Sequence, residues 1–434
     1  MTDTIAALQA RRVWDSRGNP TVEVEITTAN GAKGRAIAPA GASRGMREAM
    51  DLRDGGASLR GMDVRRALAG IAERIAPALI GRPVADQAGA DAAMIALDGT
   101  ALKSALGGNA TTAVSLALAH AAAASAGLPL WAHLAQAHGR TPSLPLPEIQ
   151  IFGGGAHAGR RVDVQDFMVM VPGAADLDEV FSVTAEIYHA AGAILARKGK
   201  RMGVADEGGW WPAFDSNEEA LSVLVEAIQA AGEEPGDRVV ISLDIAASEF
   251  GAAGQYRLAL EDRVLDRAGM IALLGGWLDR YPIVSIEDPL AEDDTAGVRA
   301  FTAAYGDRVQ IIGDDYLVTN AALVRQAAAD SACNAVLIKV NQAGTLTEAL
   351  ACLTAAEAAG YHAIVSARSG ETEDVSITHM AVGLGAGQLK VGSFARSERM
   401  AKWNECLRIS EVLGPGAFVG GAPLAGTAWR RARG

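Results

Sequence analysis

The residues of this chain best suited to chemistry are charged side chains that close short apolar runs. Asp244 ends Val239-Val240-Ile241-Ser242-Leu243, Glu287 ends Ile283-Val284-Ser285-Ile286 ahead of Asp288, and Asp314-Asp315 follows Val309-Gln310-Ile311-Ile312-Gly313. Three carboxylates gathered at one point cannot all stay ionised without a cation. An oxygen-only set, with no Cys or clustered His beside it, suits Mg2+. Singly, each acid is as well explained as a strand-end or helix-capping carboxylate, and only their placement at successive run ends favours a metal site. Lys339 closes Ala335-Val336-Leu337-Ile338, and Lys390 lies within Gln388-Leu389-Lys390-Val391-Gly392. A lysine partly desolvated beside a divalent cation has its pKa lowered and can serve as a base, while a second can hold an anionic substrate. Alone, either is a rim lysine in a salt bridge. Arg368-Ser369, after Ala363-Ile364-Val365-Ser366-Ala367, offers a guanidinium fork and a hydroxyl to a phosphate or carboxylate.

Two glycine-rich stretches carry further candidates. In Gly203-Val204-Ala205-Asp206-Glu207-Gly208-Gly209-Trp210-Trp211, burial of Glu207 against indole would favour the protonated form that a general acid needs. A turn with solvated acids and core tryptophans accounts for the same composition. Gly153-Gly154-Gly155-Ala156-His157-Ala158-Gly159 sets one His in a loop, where packing explains it less readily than in a core. A lysine base, a metal triad, a separate acid and an anion clamp together describe proton abstraction next to a carboxylate, followed by assisted loss of a poor leaving group such as hydroxide.

The elements that must position these groups follow from the same runs. Successive run ends lie roughly 22 to 43 residues apart, the size of a β-α repeat, and six such repeats suit a (β/α) barrel. An open doubly wound sheet is the alternative, but neither G-x-G-x-x-G nor G-x-x-x-x-G-K-[ST] occurs. Charges at the C-terminal ends of consecutive strands point instead to one barrel mouth. Upstream, Val22, Val24 and Ile26 alternate with Thr21, Glu23, Glu25 and Thr27, and Asn30-Gly31 predicts a hairpin turn before Lys33 to Ala38 returns. From about Glu48 to Leu134 the pattern is helical and Ala-rich, and the proline-rich Thr141–Pro147 marks a connection. Two domains are expected, at residues 1–138 and 139–434.

Composition narrows the function classes. The 434 residues include 51 acidic and 39 basic side chains, a formal charge of -12 that repels a phosphate backbone and argues against nucleic acid. Three scattered cysteines, Cys333, Cys352 and Cys406, suggest neither disulfides nor zinc, and no apolar h-region precedes Arg11 and Arg12, so a cytoplasmic location is expected. The most apolar stretch, Ala110 to Leu134, is Ala-rich and interrupted by Thr111, Thr112, Ser115, His120 and Ser125, which reads as a buried helix and not a membrane span.

From about Arg11 to Gly414 the chain resembles the enolase (phosphopyruvate hydratase) family. The likeness rests on Asp15-Ser16-Arg17-Gly18-Asn19-Pro20-Thr21-Val22-Glu23-Val24, Gly41-Ala42-Ser43, Asp206-Glu207-Gly208-Gly209, Ser285-Ile286-Glu287-Asp288-Pro289, Gly313-Asp314-Asp315, Ser369-Gly370-Glu371-Thr372-Glu373-Asp374 and Ala395-Arg396-Ser397-Glu398-Arg399. The resemblance implies an α/β fold, a C-terminal (β/α)8-type barrel with an N-terminal α+β capping domain. It also implies Mg2+-dependent dehydration of 2-phospho-D-glycerate to phosphoenolpyruvate, with two Mg2+ per site, in a homodimer or higher assembly. Asp244, Glu287 and Asp314 would hold the first Mg2+, and Ser43 would help complete the second. Lys339 would be the base and Glu207 the acid, with Asp166 beside it and His157 over the substrate. Arg368 and Ser369 would hold the phosphate, Lys390 the carboxylate, and Gln165 would line the substrate site.

The chain also departs from the family. Ser-His-Arg-Ser becomes Ser366-Ala367-Arg368-Ser369, Gln-Glu-Phe-Met becomes Gln165-Asp166-Phe167-Met168, the Asn-Gly-Gly-Ser-His loop becomes Gly153-Gly154-Gly155-Ala156-His157, and Phe-Ala becomes Trp210-Trp211. Arg160 and Arg161 could supply positive charge in place of the histidine absent at Ala367. These changes bear on the substrate and not on the reaction type. The alternatives are a paralogue acting on another phospho- or phosphono-carboxylic acid, as in the related carboxyphosphonoenolpyruvate synthase, and a non-catalytic binding protein on the same scaffold.

Overall fold

The computed structural model describes residues 3–42 and 45–431. Its N-terminal part opens with an antiparallel meander, β1 (Ile5–Trp14), β2 (Pro20–Thr28) and β3 (Lys33–Ile37). The turn between β2 and β3 falls at Asn30-Gly31 as the sequence predicts, with Asn30 Oδ1 accepting from the Ala32 amide at 2.9 Å. β1 is not apparent from the sequence because most of its side chains are at least partly exposed and show no alternation.

The sheet lies directly on the helix Gly108–Ser125, which is buried nearly all round. A Cβ at Gly34 would stand 2.0 Å from the Ala121 amide nitrogen, so only glycine permits this approach. Ala110 to Leu134 is not one continuous helix. The chain breaks before Pro129, which disfavours helical backbone at Leu128, and resumes as Leu130–His138 at 92° to the first segment. No single helix among the described residues is long and apolar enough to cross a membrane.

The second part is a closed barrel. Its strands are β4 (Leu146–Gly153), β5 (Asp166–Met170), β8 (Val240–Asp244), β12 (Ile283–Glu287), β13 (Gln310–Gly313), β14 (Ala335–Ile338), β15 (His362–Ser366) and β16 (Gly387–Ser393), and β16 pairs back onto β4. A hairpin of β6 (Arg201–Val204) and β7 (Trp210–Pro212) leans on β4, and β9 (Gly251–Ala252), β10 (Gln255–Leu258) and β11 (Arg263–Asp266) form a separate small sheet. The six apolar runs correspond to β8 and β12 to β16.

The barrel departs from a uniform β-α repeat at its start, where β5 runs antiparallel to both β4 and β8. A loop with no crossover helix joins β4 to β5, so the second strand can only return alongside the first. The reversal places Asp166, at the start of β5, beside Gly153 and Asp244 at the ends of their strands. Asp166 therefore enters the same mouth as the groups at the ends of the parallel strands.

At the junction of the two parts, His120 of the long helix meets His379 of the helix Ser376–Leu384 edge to face, with ring centroids 6.3 Å apart. Burial pulls both imidazoles below their ordinary value, His379 to about 4 despite Glu405 at 3.4 Å. The unfolded chain takes up the His379 proton below about pH 6.5, whereas the native protein resists until about pH 4. Stability from His379 is therefore complete above about pH 6.5 and declines as the pH falls toward 4, by on the order of 3 kcal/mol. His379→Gln should flatten that decline in denaturant melts, and a parallel decline in variant and wild type would contradict the assignment.

Candidate active site

The candidate side chains reach the mouth from strand ends, from the start of β5 and from loops. Gln165, Asp166, Asp244, Lys339, Arg368, Ser369 and Lys390 line one chamber, together with His157 and Glu207 from loops and Gly41 and Ala42 from the N-terminal part. Glu287 and Asp314 are buried immediately behind them. Ser43 lies outside the described residues.

Lys390 is the centre of the charge arrangement. Its Nζ donates to Asp244 Oδ2 at 2.8 Å and Glu287 Oε2 at 2.7 Å, and lies 3.5 Å from Asp166 Oδ2. Burial opposes its charge, but Asp244, Glu287 and Asp166 raise it well above the ordinary lysine value. Lys339 bonds Asp314 Oδ2 in the same way, while Gln342 Nε2 donates to Asp314 Oδ1 at 2.8 Å. Burial pulls the Lys339 ammonium down, yet Asp314 outweighs it, and Lys339 stands above its ordinary value. The cause is the pairing of Asp314 with the amine itself.

The carboxylate set fits Mg2+ in part: the oxygens of Asp314 cluster with those of Asp288 and Asp315, and those of Asp166 and Glu207 with His157, and neither cluster includes Asp244 or Glu287. Asp244 and Glu287 converge on one point, the donors are all oxygen, and Glu287 Oε1 is buried without a hydrogen-bond partner. Burial and the nearby charges of Asp244 and Asp314 lift Glu287 well above its ordinary value. Asp288 accepts the backbone N–H of Asp314 at 3.0 Å and of Asp315 at 2.7 Å, which fixes the turn that presents Asp314. Mg2+ would be held by Asp244, Glu287 and Asp314.

Opposite Lys339, the buried His157 lies between two carboxylates, with Nδ1 3.4 Å from Asp166 Oδ1 and Nε2 3.8 Å from Glu207 Oε1. Burial disfavours the charged imidazole, but Glu207 and Asp166 raise it. Asp166 is held at about 2, since His157, Lys390 and a bond from Gln150 outweigh its burial. Glu207 is seated by its main chain, whose carbonyl accepts the Ser393 amide at 2.8 Å. Gly208 lets the loop pass β16, because a Cβ there would meet the Ala395 carbonyl oxygen at 2.4 Å. The tryptophans do not shelter the acid as expected. Trp210 stacks on Tyr188 at 4.9 Å and donates to its carbonyl, while Trp211 packs on Gly159.

Arg368 and Ser369 are supported from behind by Arg399, whose guanidinium bonds the Arg368 carbonyl at 2.7 Å and the Ser369 carbonyl at 2.5 Å. Ala367 is buried beside them with its amide on the Lys390 carbonyl. Arg160 lines a wider cleft with Arg17 and Arg60 that shares Gly41 and Ala42 with the chamber, and it pairs with Glu249. Sequence reasoning passes over Glu48, Gln342 and Arg399 as site residues, although Arg399 stands within a quoted motif. Their contacts span long stretches of chain, and nothing local distinguishes Glu48 or Gln342.

The chain is a closed barrel joined to an N-terminal α+β part, with carboxylates, two lysines and an arginine gathered at the barrel mouth. The family model described as "Enolase, C-terminal TIM barrel domain" matches residues 141–427, and "Enolase, N-terminal domain" matches residues 5–134. The chain belongs to the enolase family.

Lys390 supplies the counter-charge that Asp244, Glu287 and Asp166 need in the absence of a cation. Lys390→Met should therefore destabilise the Mg2+-free protein by ~3–5 kcal/mol, the usual effect of removing one partner from a buried pair. Mg2+ should then restore more of the melting temperature in the variant than it adds to the wild type. Thermal melts with and without chelator measure both, and an unchanged metal-free melt would detach Lys390 from the acid cluster.

Proposed function

We propose that this protein is a hydro-lyase that dehydrates 2-phospho-D-glycerate to phosphoenolpyruvate. The observation that carries this reading is one chamber lined by Lys339 and Glu207, with Arg368 and Ser369 on its anion side and Lys390 among the carboxylates. Asp244, Glu287 and Asp314 would hold Mg2+, which would supply positive charge beside the substrate carboxylate, and engaging Asp314 there would leave Lys339 to act as the base. Lys339 Nζ takes the proton from C2, and the electron pair moves onto the substrate carboxylate. The pair returns to form the C2–C3 double bond as the C3–O bond breaks, and Glu207 gives its proton to the departing hydroxide, so that water leaves. Arg368 and Ser369 hold the phosphate, and Lys390 balances charge near the substrate carboxylate. His157 orders Glu207 and Asp166 on the acid side.

A second reading is favoured by Ala367, which sets a methyl group beside Arg368 at the end of β15 where the family carries an imidazole. On that reading the same acid and base act on a different phospho- or phosphono-carboxylic acid. Formation of phosphoenolpyruvate from 2-phosphoglycerate, followed by absorbance, separates the two. Under the first reading, turnover requires Mg2+, and Lys339→Ala lowers kcat by at least about 10³-fold, within the range of a general base acting on a carbon acid. Ala367→His strengthens 2-phosphoglycerate binding. Absence of turnover in a protein that still binds Mg2+, or loss of activity in Ala367→His, would favour the second.

A further inference from the structure

Both candidate phosphate holders are gripped by one stretch of the N-terminal part. The Ala42 amide donates to Ser369 Oγ at 2.7 Å. Glu48 takes Arg368 through two bonds, Oε2 from NH1 at 2.9 Å and Oε1 from NH2 at 3.2 Å, across 320 residues of sequence. Both partners are buried, with Arg368 5% and Glu48 6% exposed. Glu48 Oε1 also accepts from the Gly45 amide at 3.0 Å and from Gln342 Nε2 at 3.2 Å, and Gln342 Nε2 bonds Asp314 as well. The described residues that line the chamber do not include Glu48.

The position of this carboxylate matters because other acids also attract Arg368. Asp314 and Asp315 pull on its guanidinium as Glu48 does. A guanidinium drawn onto Asp314 would leave the anion side of the chamber and neutralise a carboxylate that a cation needs. Glu48 opposes both movements: its two oxygens match the planar fork and fix its direction, and its charge satisfies the arginine away from Asp314.

We propose that Glu48 is a positioning residue that holds Arg368 at the phosphate side of the chamber and off the carboxylate of Asp314. The proposal rests on the role given to Arg368 under the proposed function. It gives the N-terminal part a direct share in anion binding through a residue that need not touch the substrate.

Calorimetric titration of the full chain with Mg2+, and with inorganic phosphate in the presence of Mg2+, tests this in wild type, Glu48→Ala, Glu48→Gln and Arg368→Ala. Glu48→Ala should weaken phosphate binding ~10-fold, the usual scale for losing a residue that orients a ligand-binding group, and should weaken Mg2+ binding as well. Glu48→Gln should lie between it and wild type, since the amide oxygen still accepts one guanidinium bond. Where turnover is measured, KM for 2-phosphoglycerate should rise more than kcat falls. A lowered melting temperature with unchanged phosphate and Mg2+ binding would mark Glu48 as merely structural and overturn the proposal. Should Glu48→Ala fail to fold, Glu48→Gln decides by the same two titrations. Unchanged phosphate binding in Arg368→Ala would overturn the role of Arg368 itself, an outcome distinct from any result at Glu48.

Discussion

The barrel mouth has to hold more negative charge than a buried space tolerates. Asp166, Asp244, Glu287 and Asp314 are all nearly withdrawn from solvent around it, and ions moved from water into such a space cost several kcal/mol each unless neighbours compensate them. The surrounding cations answer this constraint. Lys390 bonds Asp244 and Glu287, Lys339 bonds Asp314, and His157 stands between Asp166 and Glu207. Lys339, Lys390 and His157, proposed to act at the substrate, are thus also groups that hold the acids together. A divalent cation would take over part of that task and release the lysines for other partners. Stability and chemistry depend here on the same few charges.

The reversal of β5 follows the same logic. A regular parallel strand would bring its C-terminal end to the mouth, whereas the antiparallel β5 brings its first residue, Asp166, and the preceding Gln165, whose Nε2 donates to Asp244 Oδ2 at 3.0 Å. The short β4–β5 connection also carries His157, so the loop that reverses the chain delivers the imidazole between Asp166 and Glu207. The barrel interior below stays polar near the site: Glu148 accepts from Ser242, and Gln310 pairs with Gln388. Burial raises the Glu148 carboxyl, which limits the charge added beneath Lys390.

These interior polar residues also explain what could and could not be read from the sequence. Six strands announce themselves as continuous apolar runs ending in charge, and a common run end places their charged residues at one mouth. β4 hides because Pro147, Glu148 and Gln150 interrupt its apolar pattern, although all three are buried. The partners of Arg368 are hidden for another reason. Glu48 sits in a polar N-terminal stretch, Gln342 lies in unremarkable helical sequence, and Arg399 stands in a motif whose sequence does not say what it bonds, so only the folded chain shows that they meet the end of β15 or Asp314. The tryptophans after Glu207 show the limit of local composition, because neighbours in sequence alternate across β7 and face the helix Leu177–Arg197 and the Gly159 loop.

The two halves of the site rest on different parts of the fold. The carboxylates and both lysines belong to β5, β8, β12, β16 and the ends of β13 and β14, tied together by short charge-assisted bonds. The anion side rests on the turn after β15, propped by Arg399 and gripped by Glu48 and Ala42 from the N-terminal part. A change in the first half disturbs several buried charges at once. A change such as alanine at position 367 removes one ring from the second and leaves the acid cluster intact. On the proposed reading, the chain can therefore keep its acid–base chemistry while the preference for a particular phosphorylated acid shifts. Glu48 fixes the direction of the Arg368 fork at the phosphate position. Discrimination among anions there depends on how well their oxygens match the fork in that orientation, more than on attraction at a distance.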